Sequence, residues 1–362
     1  MNILHVCCIP DNPANGMSVV IPELVEAEGK KEDVILINLS DFRPQAGEKV
    51  SVYNIHDYKG LGLKKIKEIL RKVDIVIFHG IYLPRIWKFY YKYIKGKKPY
   101  IILPHGSMSF EVQKKNNFKK FFFNHLLVYK FTRNAKAIQF LSENEKDLSN
   151  PVFYSRHYVI GNGISKKRKF YKQKQSAGLN ILYIGRMDIY NKGLDLLLEA
   201  VKNQKNYLFK NQIKILLYGP DTGHAKQEIQ EYISKYELSQ VLYIGNEIFG
   251  IEKEKLLLSC DYFIQTSRTE GMPMGVLEAL SYGIPLLVTR GTGFKREVEL
   301  YKCGIASENT VESIEELLYL SEKYKEDTYE MSQNALKCSE KYYWDSIVEK
   351  TLLQYKYYIM RE

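Results

Sequence analysis

The sequence predicts an α/β protein with two domains, each built around a parallel sheet. Short apolar or β-branched segments of strand length alternate along the chain with longer segments of helical periodicity, a pattern typical of β-α-β units. The run 286–289 carries no charge, as expected for a strand that is buried on both faces of a parallel sheet. A chain of 362 residues is long for one hydrophobic core and sufficient for two.

The composition indicates a soluble, folded chain rather than a disordered one, with 45% hydrophobic and 26% charged residues. The N-terminal apolar run has no basic lead and stops at Pro10, so it predicts a buried strand rather than a signal peptide. No segment approaches the roughly 18 apolar residues of a membrane-spanning helix. Five cysteines without a C-x-x-C pair predict reduced, structural thiols, and we expect a cytoplasmic protein.

The first half of the chain alternates predicted strands with helices at 19–28 and 63–70. The predicted strands are 2–9, 33–39, 73–78, 100–103 and 137–141. A turn-rich loop follows the first of them, where Gly16 would let the backbone approach a bound group closely and Ser18 could cap the next helix. A simple helix-entry glycine is an equally good interpretation of Gly16.

His105 and Gly106 directly follow the fourth predicted strand. A histidine at the carboxyl end of a strand can reach a ligand, although a single histidine is more often structural. Further on, Ser142 and Glu145 have the spacing of a capping box, to which we assign no chemistry.

The net charge of +11 comes from one region, in which 13 lysines and arginines between Arg85 and Lys136 face a single acid, Glu111. Aromatic residues alternate with these cations at 85–95 and again at 114–123. Such a surface suits the headgroups of an anionic membrane, and we expect peripheral attachment to the inner face of the plasma membrane. Single-stranded nucleic acid and a solvated basic face with its rings turned inward are the alternatives.

The second half begins after a strand and turn at 159–164, which predicts domains of 1–165, joined by a C-terminal helix at 343–362, and 166–342. A predicted strand at 180–184 leads into a loop with Arg186 and Lys192, and this loop opens a helix at 194–201. Both cations are therefore expected at the carboxyl end of a strand, where they could bind phosphate oxygens. Further strands are predicted at 213–218 and 241–244.

The segment 266–289 is predicted to be strand end, turn, helix and strand, with Pro273 at the start of the helix. The helix N-terminus would offer unpaired N–H groups and a positive dipole end to a phosphate. Glu270 precedes this helix and Glu278 lies more than one turn inside it. Carboxylates accept hydrogen bonds from neutral hydroxyls, so two acids around a helix dipole fit a sugar joined through a diphosphate to a ribose.

The run E-G-M-P-M-G-V-L-E at 270–278 resembles the E-x7-E motif of the retaining glycosyltransferases of family 4, which have the GT-B fold. The resemblance implies two Rossmann-like domains that face each other across a cleft. It also implies that Glu270 contacts the donor sugar, that Glu278 contacts the ribose, and that the backbone of Met274, Gly275 and Val276 binds the diphosphate.

Other positions are similar to the same family. Gly16 matches one glycine of the family's glycine pair near the donor diphosphate, and Met17 stands at the other. His105 matches a histidine near the donor sugar, where we expect it to donate a hydrogen bond. Arg186 and Lys192 match the element that stabilises the leaving diphosphate, and Ile248, next to Glu247, lies where the backbone contacts the nucleobase.

The resemblance implies a metal-independent transferase that moves a sugar from a nucleotide diphosphate sugar, such as a UDP-sugar, to a glycan hydroxyl in surface polysaccharide synthesis. We expect a lipid-linked acceptor, no cofactor and no nucleic acid partner; the sequence has no Asp-x-Asp pair to hold a metal. Three alternatives stay open: a nucleotide-sugar epimerase of the same architecture, a basic protein that binds membrane or nucleic acid, and an inactive scaffold that binds the donor.

Overall fold

A computed structural model of the chain describes residues 1–12, 15–60, 62–109, 128–154, 156–167, 170 and 178–360. The chain divides into two compact units. The first consists of Met1–Gly163 and Trp344–Glu362, and the second of Ile164–Tyr343.

The first unit contains a seven-stranded parallel sheet in the described part of the chain. Its strands are β1 (Asn2–Cys7), β2 (Asp33–Asn38), β3 (Val50–Tyr53), β4 (Ile75–His79), β5 (Tyr100–Leu103), β6 (Ala137–Phe140) and β7 (His157–Val159). The order is β3-β2-β1-β4-β5-β6-β7, so the direction of winding reverses between β1 and β4. In open α/β sheets the crevice at such a reversal is where ligands bind.

Helices cover this sheet. They are α1 (Gly16–Gly29), α2 (Ile55–Gly60), α3 (Gly62–Lys72), α4 (Pro84–Phe89), α5 (Tyr129–Arg133), α6 (Glu143–Asp147) and the C-terminal helix (Trp344–Met360). The Trp344 ring packs so closely on Gly163 that a Cβ there would lie 2.2 Å from it. The indole N–H donates to Glu23 Oε2 at 2.9 Å. The start of the C-terminal helix therefore packs against the segment after β7 and is hydrogen-bonded to α1.

The aromatic residues of the basic region 85–95 mostly face inward. Trp87, Phe89, Tyr90 and Tyr93 belong to the core of the first unit, whereas the cations between them are exposed. The expected surface of alternating rings and charges is therefore not formed here, because the helical spacing places the rings on the sheet side. The second cluster, 114–123, lies outside the described residues. Among the residues that are described, no helix combines the length and the apolar character needed to cross a membrane.

The second unit contains a six-stranded parallel sheet among its described residues. Its strands are β8 (Leu179–Ile184), β9 (Ile213–Tyr218), β10 (Leu242–Ile244), β11 (Tyr262–Gln265), β12 (Leu286–Thr289) and β13 (Gly304–Ser307). The order is β10-β9-β8-β11-β12-β13, with the reversal between β8 and β11. All four residues of β11 and of β12 are buried, as their uncharged sequences predict.

The helices of the second unit alternate with its strands. They are α7 (Leu194–Asn203), α8 (Lys205–Lys210), α9 (Ala225–Lys235), α10 (Gly250–Ser259), α11 (Met274–Ser281), α12 (Lys295–Tyr301), α13 (Val311–Lys323) and α14 (Thr328–Ser339). Each unit is thus a doubly wound α/β unit of the Rossmann type. The fold class that the alternation of strands and helices predicts is confirmed.

Candidate functional site

Two loops of the second unit meet where its sheet reverses. The loop 185–193 follows β8 and the loop 266–273 follows β11, and these two strands are parallel neighbours in the sheet. The carboxyl ends of both strands therefore lie at one edge, which brings residues about 80 positions apart in the sequence into contact.

Gly193 joins the two loops at a point with no room for a side chain. Its φ is +62°, and a Cβ there would lie 2.1 Å from the carbonyl oxygen of Thr266. The Thr266 hydroxyl donates to the carbonyls of Lys192 and Gly193 at 3.0 and 3.1 Å. The backbone that carries Lys192 is therefore held directly against the end of β11.

Arg268 makes a second connection between the loops. Its guanidinium donates to both carboxylate oxygens of Asp195 on α7, at 2.6 and 2.8 Å. It also donates to the carbonyl of Tyr190 at 2.7 Å and lies 4.3 Å from the centre of that ring. A bidentate pair of this kind fixes orientation as well as distance, so the two loops are held in one arrangement relative to α7.

Lys192 and Glu270 form an ion pair at this edge. Lys192 Nζ donates to Glu270 Oε1, and the Ser267 hydroxyl donates to the same oxygen at 2.7 Å. Only 15% of the Lys192 side chain and 14% of the Glu270 side chain are exposed. The pair is therefore partly desolvated, and its charges act more strongly on a bound group than surface charges would.

Tyr183 in β8 holds the start of the loop 185–193 in place. Its hydroxyl donates to the Arg186 carbonyl at 2.8 Å, which sets the course of the backbone after β8. Burial raises the pKa of the Tyr183 phenol, and the nearby Glu270 charge raises it further. The phenol is therefore a neutral hydrogen-bond donor at neutral pH.

Helix α11 begins beside this ion pair, and its N-cap residue is Pro273, which provides no side-chain cap. Val276 is buried and Met274 is partly buried. Gly275 is packed so that a Cβ would lie 2.9 Å from the Phe263 ring and 3.1 Å from the Ile184 carbonyl. No side chain caps the first turn, and the Val276 N–H, one of the groups predicted to bind the diphosphate, donates to the Pro273 carbonyl at 3.1 Å. A side chain at Gly275 would disturb the packing of α11 on the sheet.

Glu278 has a partner that sequence reasoning missed. Lys253 on α10 donates to Glu278 Oε2, with 25% and 19% of the two side chains exposed. The two residues are 25 positions apart and no motif connects them, so no pattern in the sequence indicated their contact. Each acid of the pair Glu270 and Glu278 thus lies against a lysine.

The other predicted residues of the second unit are more open. The Arg186 side chain is exposed, and Ile248 is half-buried in the loop between β10 and α10. Arg186 makes no ion pair with any residue that the structure describes. The structure thus joins Lys192 with Glu270 directly, and it leaves Arg186 at the surface after β8.

Gly16 and His105 belong to the first unit. Gly16 opens α1 and a Cβ there would meet nothing within 4 Å. The cap of this helix is Asn15, which accepts from the Met17 N–H at 3.0 Å. The prediction that Ser18 caps this helix is wrong, because the helix begins two residues earlier. The Ser18 hydroxyl donates instead to the Pro10 carbonyl at 2.9 Å.

His105 has a left-handed backbone, with φ at +50°, which is uncommon for a residue other than glycine. Glu145 holds the following residue in place, since its carboxylate accepts from the N–H groups of Gly106 and Leu141. The Ser142 hydroxyl caps α6 by accepting from Glu145 N–H at 3.0 Å. The capping box therefore has a second function that its sequence did not reveal, which is to position the loop that carries His105.

Within the described ranges, no group of three or more His, Cys, Asp or Glu side chains is arranged to hold a metal ion.

Residues 165–338 match the protein family described as Glycosyl transferases group 1. An uncharacterized glycosyltransferase of Methanocaldococcus jannaschii is 25% identical over 252 residues, which cover 69% of this chain and 66% of that protein. A GDP-mannose:cellobiosyl-diphosphopolyprenol alpha-mannosyltransferase of Xanthomonas oryzae is 26% identical over 233 residues, or 61% of this chain and 57% of that protein. The matched part thus spans somewhat less than two thirds of either relative.

The fold is similar to that of the HepE protein of Anabaena, solved in complex with UDP. The two structures superpose with a TM-score of 0.73 at 14% sequence identity, over 99% of this chain and 100% of HepE. At this identity the likeness concerns the fold, and the GT-B class predicted for it is confirmed. The segment 165–338 that matches the group 1 glycosyl transferases includes both loops of the candidate site.

Proposed function

We propose that this protein is a retaining glycosyltransferase that moves a sugar from a nucleotide diphosphate sugar to a hydroxyl of a lipid-linked glycan during polysaccharide synthesis. The observation that carries the proposal is the contact of Lys192 and Ser267 with Glu270 beside the start of α11. A cation, a carboxylate and a helix N-terminus at one sheet edge offer partners for the diphosphate and for the sugar hydroxyls of such a donor.

The proposed roles follow from charge. As the bond between sugar and phosphate breaks, negative charge grows on the nucleoside diphosphate, and Lys192, Arg186 and the α11 dipole stabilise that charge. Glu270 accepts hydrogen bonds from sugar hydroxyls and Glu278 from the ribose, while the backbone near Ile248 borders the base. These cations take the electrostatic part that a metal ion has in other transferases, so we propose that the reaction needs no metal.

Retention follows from attack on the face that the leaving group occupies. The acceptor oxygen bonds to the anomeric carbon as the bond to phosphate breaks, and the leaving phosphate oxygen takes the hydroxyl proton. The anomeric configuration of the product, determined by NMR, tests this step: an inverted product would contradict it.

A basic cavity in the first unit supports an anionic acceptor. Its volume is about 570 Å³, and it is lined by Leu39, Ile55, Arg85, Lys88, Phe89, Tyr91, Lys92 and Tyr93. Three cations and no carboxylate among the lining residues suit a diphosphate, and the partly buried Tyr91 ring suits an adjoining apolar chain. The name of the Xanthomonas relative states a diphosphopolyprenol acceptor, and we propose the same acceptor class, presented at the inner membrane face.

Thermal-shift measurements against a panel of nucleotide sugars test donor binding first, because a ligand that binds the folded state raises its melting temperature. The stabilising donor is then incubated with a polyprenyl diphosphate glycan, with and without EDTA. Transfer that survives EDTA supports the proposal. Conversion of the donor without an acceptor would favour an epimerase, and stabilisation by oligonucleotide alone, with a steep salt dependence, would favour a nucleic-acid-binding protein.

Lys253→Met is expected to raise the KM for the donor about 10-fold, which is ~1.4 kcal/mol, and to change kcat less than about threefold. The reason is that Lys253 holds Glu278 in place, and Glu278 contacts the ribose rather than the reacting bond. Steady-state kinetics with varied donor measure both constants. Lys255→Met on the same helix is the control, since Lys255 is exposed; equal effects of the two changes would contradict the assignment.

A further inference from the structure

Four titratable side chains form a continuous hydrogen-bonded chain through the first unit. Glu28 Oε2 lies 2.7 Å from His5 Nε2, His5 Nδ1 lies 3.0 Å from His79 Nε2, and His79 Nδ1 lies 3.0 Å from His105 Nε2. Glu28 and His5 are fully buried, and His79 is 1% exposed. The three imidazole rings are also stacked in pairs, with 5.3 Å between successive centres.

The four members of this chain come from four different parts of the first unit. His5 is in β1 and His79 ends β4, so they flank the reversal of the strand order. Glu28 comes from α1, and His105 follows β5. The chain therefore runs from the helix layer through the centre of the sheet to the carboxyl edge, where ligands bind in this type of fold.

Burying these four polar groups costs desolvation free energy, and stability alone would not require it. A carboxylate and three imidazoles must be desolvated, and apolar residues of similar volume would stabilise a sheet at least as well. Burial lowers the pKa of His105 to about 4, and it holds the pKa of His79 well below 6.5, with the neighbouring histidines adding to the effect. Both rings are therefore neutral at neutral pH, so each has one N–H and one lone pair.

If all three rings are neutral, only two arrangements of their protons are consistent with these hydrogen bonds. If Glu28 is a carboxylate it can only accept, so each ring carries its proton on Nε2, and His105 is left with a lone pair on Nδ1. If Glu28 donates a proton, every ring is protonated on Nδ1 instead. The 2.7 Å distance from Glu28 Oε2 to His5 Nε2 is consistent with the first arrangement, in which the ring N–H donates to an ionised carboxylate.

We propose that Glu28, His5 and His79 are positioning residues that set the tautomer of His105, so that His105 offers Nδ1 as a hydrogen-bond acceptor to a hydroxyl of the sugar substrate. The part about the hydroxyl rests on the proposed transferase function; the part about the tautomer does not. This acceptor role for His105 is the reverse of the donor role that the sequence resemblance implied. In the described part of the chain His105 Nδ1 has no hydrogen-bond partner, whereas Nε2 is occupied by His79.

The tautomer is measured directly by NMR on the full-length protein labelled with ¹⁵N-histidine, because protonated and unprotonated ring nitrogens have distinct shifts. The chain contains seven histidines, and the single substitutions H5Q, H79Q and H105Q assign the signals. In the wild-type protein, His5, His79 and His105 are expected to be protonated on Nε2 at neutral pH. A wild-type His105 ring with its proton on Nδ1 overturns the proposal.

Glu28→Gln is the decisive variant, because an amide can donate as well as accept and so removes the preference for one arrangement. We expect a second His105 population protonated on Nδ1, together with at least a tenfold loss of kcat and a smaller change in KM. Glu26→Gln, the same change at an exposed position of α1, is expected to leave the spectrum and the rate unaltered. A His105 tautomer that is identical in Glu28→Gln and wild type would show that the buried chain is only structural. If the wild-type protein transfers no sugar, the proposed function fails while the spectra still decide the tautomer.

Discussion

Lys192→Ala is expected to lower kcat by two to three orders of magnitude, which corresponds to about 3–4 kcal/mol of transition-state stabilisation. The ammonium group lies in a partly buried position against Glu270, where charges are weakly screened. Removing it takes away a cation from the growing negative charge of the leaving diphosphate, and it also leaves Glu270 without its lysine partner. Single-turnover rates with saturating donor measure the chemical step separately from binding.

Lys202→Ala is the matched control for this change. Lys202 also pairs with a glutamate, Glu199, and it lies on α7, the helix that the Lys192 loop opens. Exposed pairs three positions apart on a helix contribute only about 0.3–0.5 kcal/mol, so both the rate and the melting temperature should stay close to wild type. A Lys192→Ala enzyme that keeps more than about a third of the wild-type rate would contradict the assignment of Lys192 to the leaving group.

Combining Lys192→Ala with Glu270→Gln tests whether the two residues act as a unit. Residues in direct contact have non-additive effects, and Glu270 accepts from both Lys192 and Ser267. We expect the double variant to be about as slow as the slower single variant. Additive losses would mean that the two side chains act on separate parts of the donor.

The strands and the loops that follow them could be predicted from the sequence because their signals are local. β9 and β12 have the bounds that their apolar runs predict. The four-residue strand β3 was not predicted. It lies at the edge of the sheet with none of its residues buried, so it lacks the continuous apolar run that marks the buried strands. Helix α1 begins earlier than predicted because Asn15, which no apolar pattern marks, caps it.

The connections between distant residues could not be predicted, because they depend on which strands become neighbours. Lys253 reaches Glu278 from another helix, and Glu145 binds Gly106 across 39 residues of sequence. His5 and His79 are single histidines in apolar strands, where each is most simply interpreted as a core residue. Their chemistry appears only when β1 and β4 lie side by side and align the ring nitrogens with Glu28 and His105.

Gly193→Ala is expected to destabilise the protein by about 3 kcal/mol or more and to reduce kcat/KM at least tenfold. Two costs add at this position. A residue with a side chain at φ +62° costs about 1–2 kcal/mol, and the Cβ would also lie 2.1 Å from the Thr266 carbonyl oxygen, so the loop must move away from β11. That movement breaks the bonds from the Thr266 hydroxyl and displaces Lys192.

Gly223→Ala separates these two costs. Its φ of +63° is almost the same, but a Cβ there meets nothing within 4 Å, so the change should cost only the backbone strain of about 1–2 kcal/mol and leave kcat/KM unaltered. For a unit of this size each kcal/mol lowers the melting temperature by about 2–4 °C, so calorimetry should resolve the two variants. Equal losses of stability at both positions would mean that backbone strain alone determines the effect. In that case the close contact between the Lys192 loop and β11 would not contribute to the stability of the site.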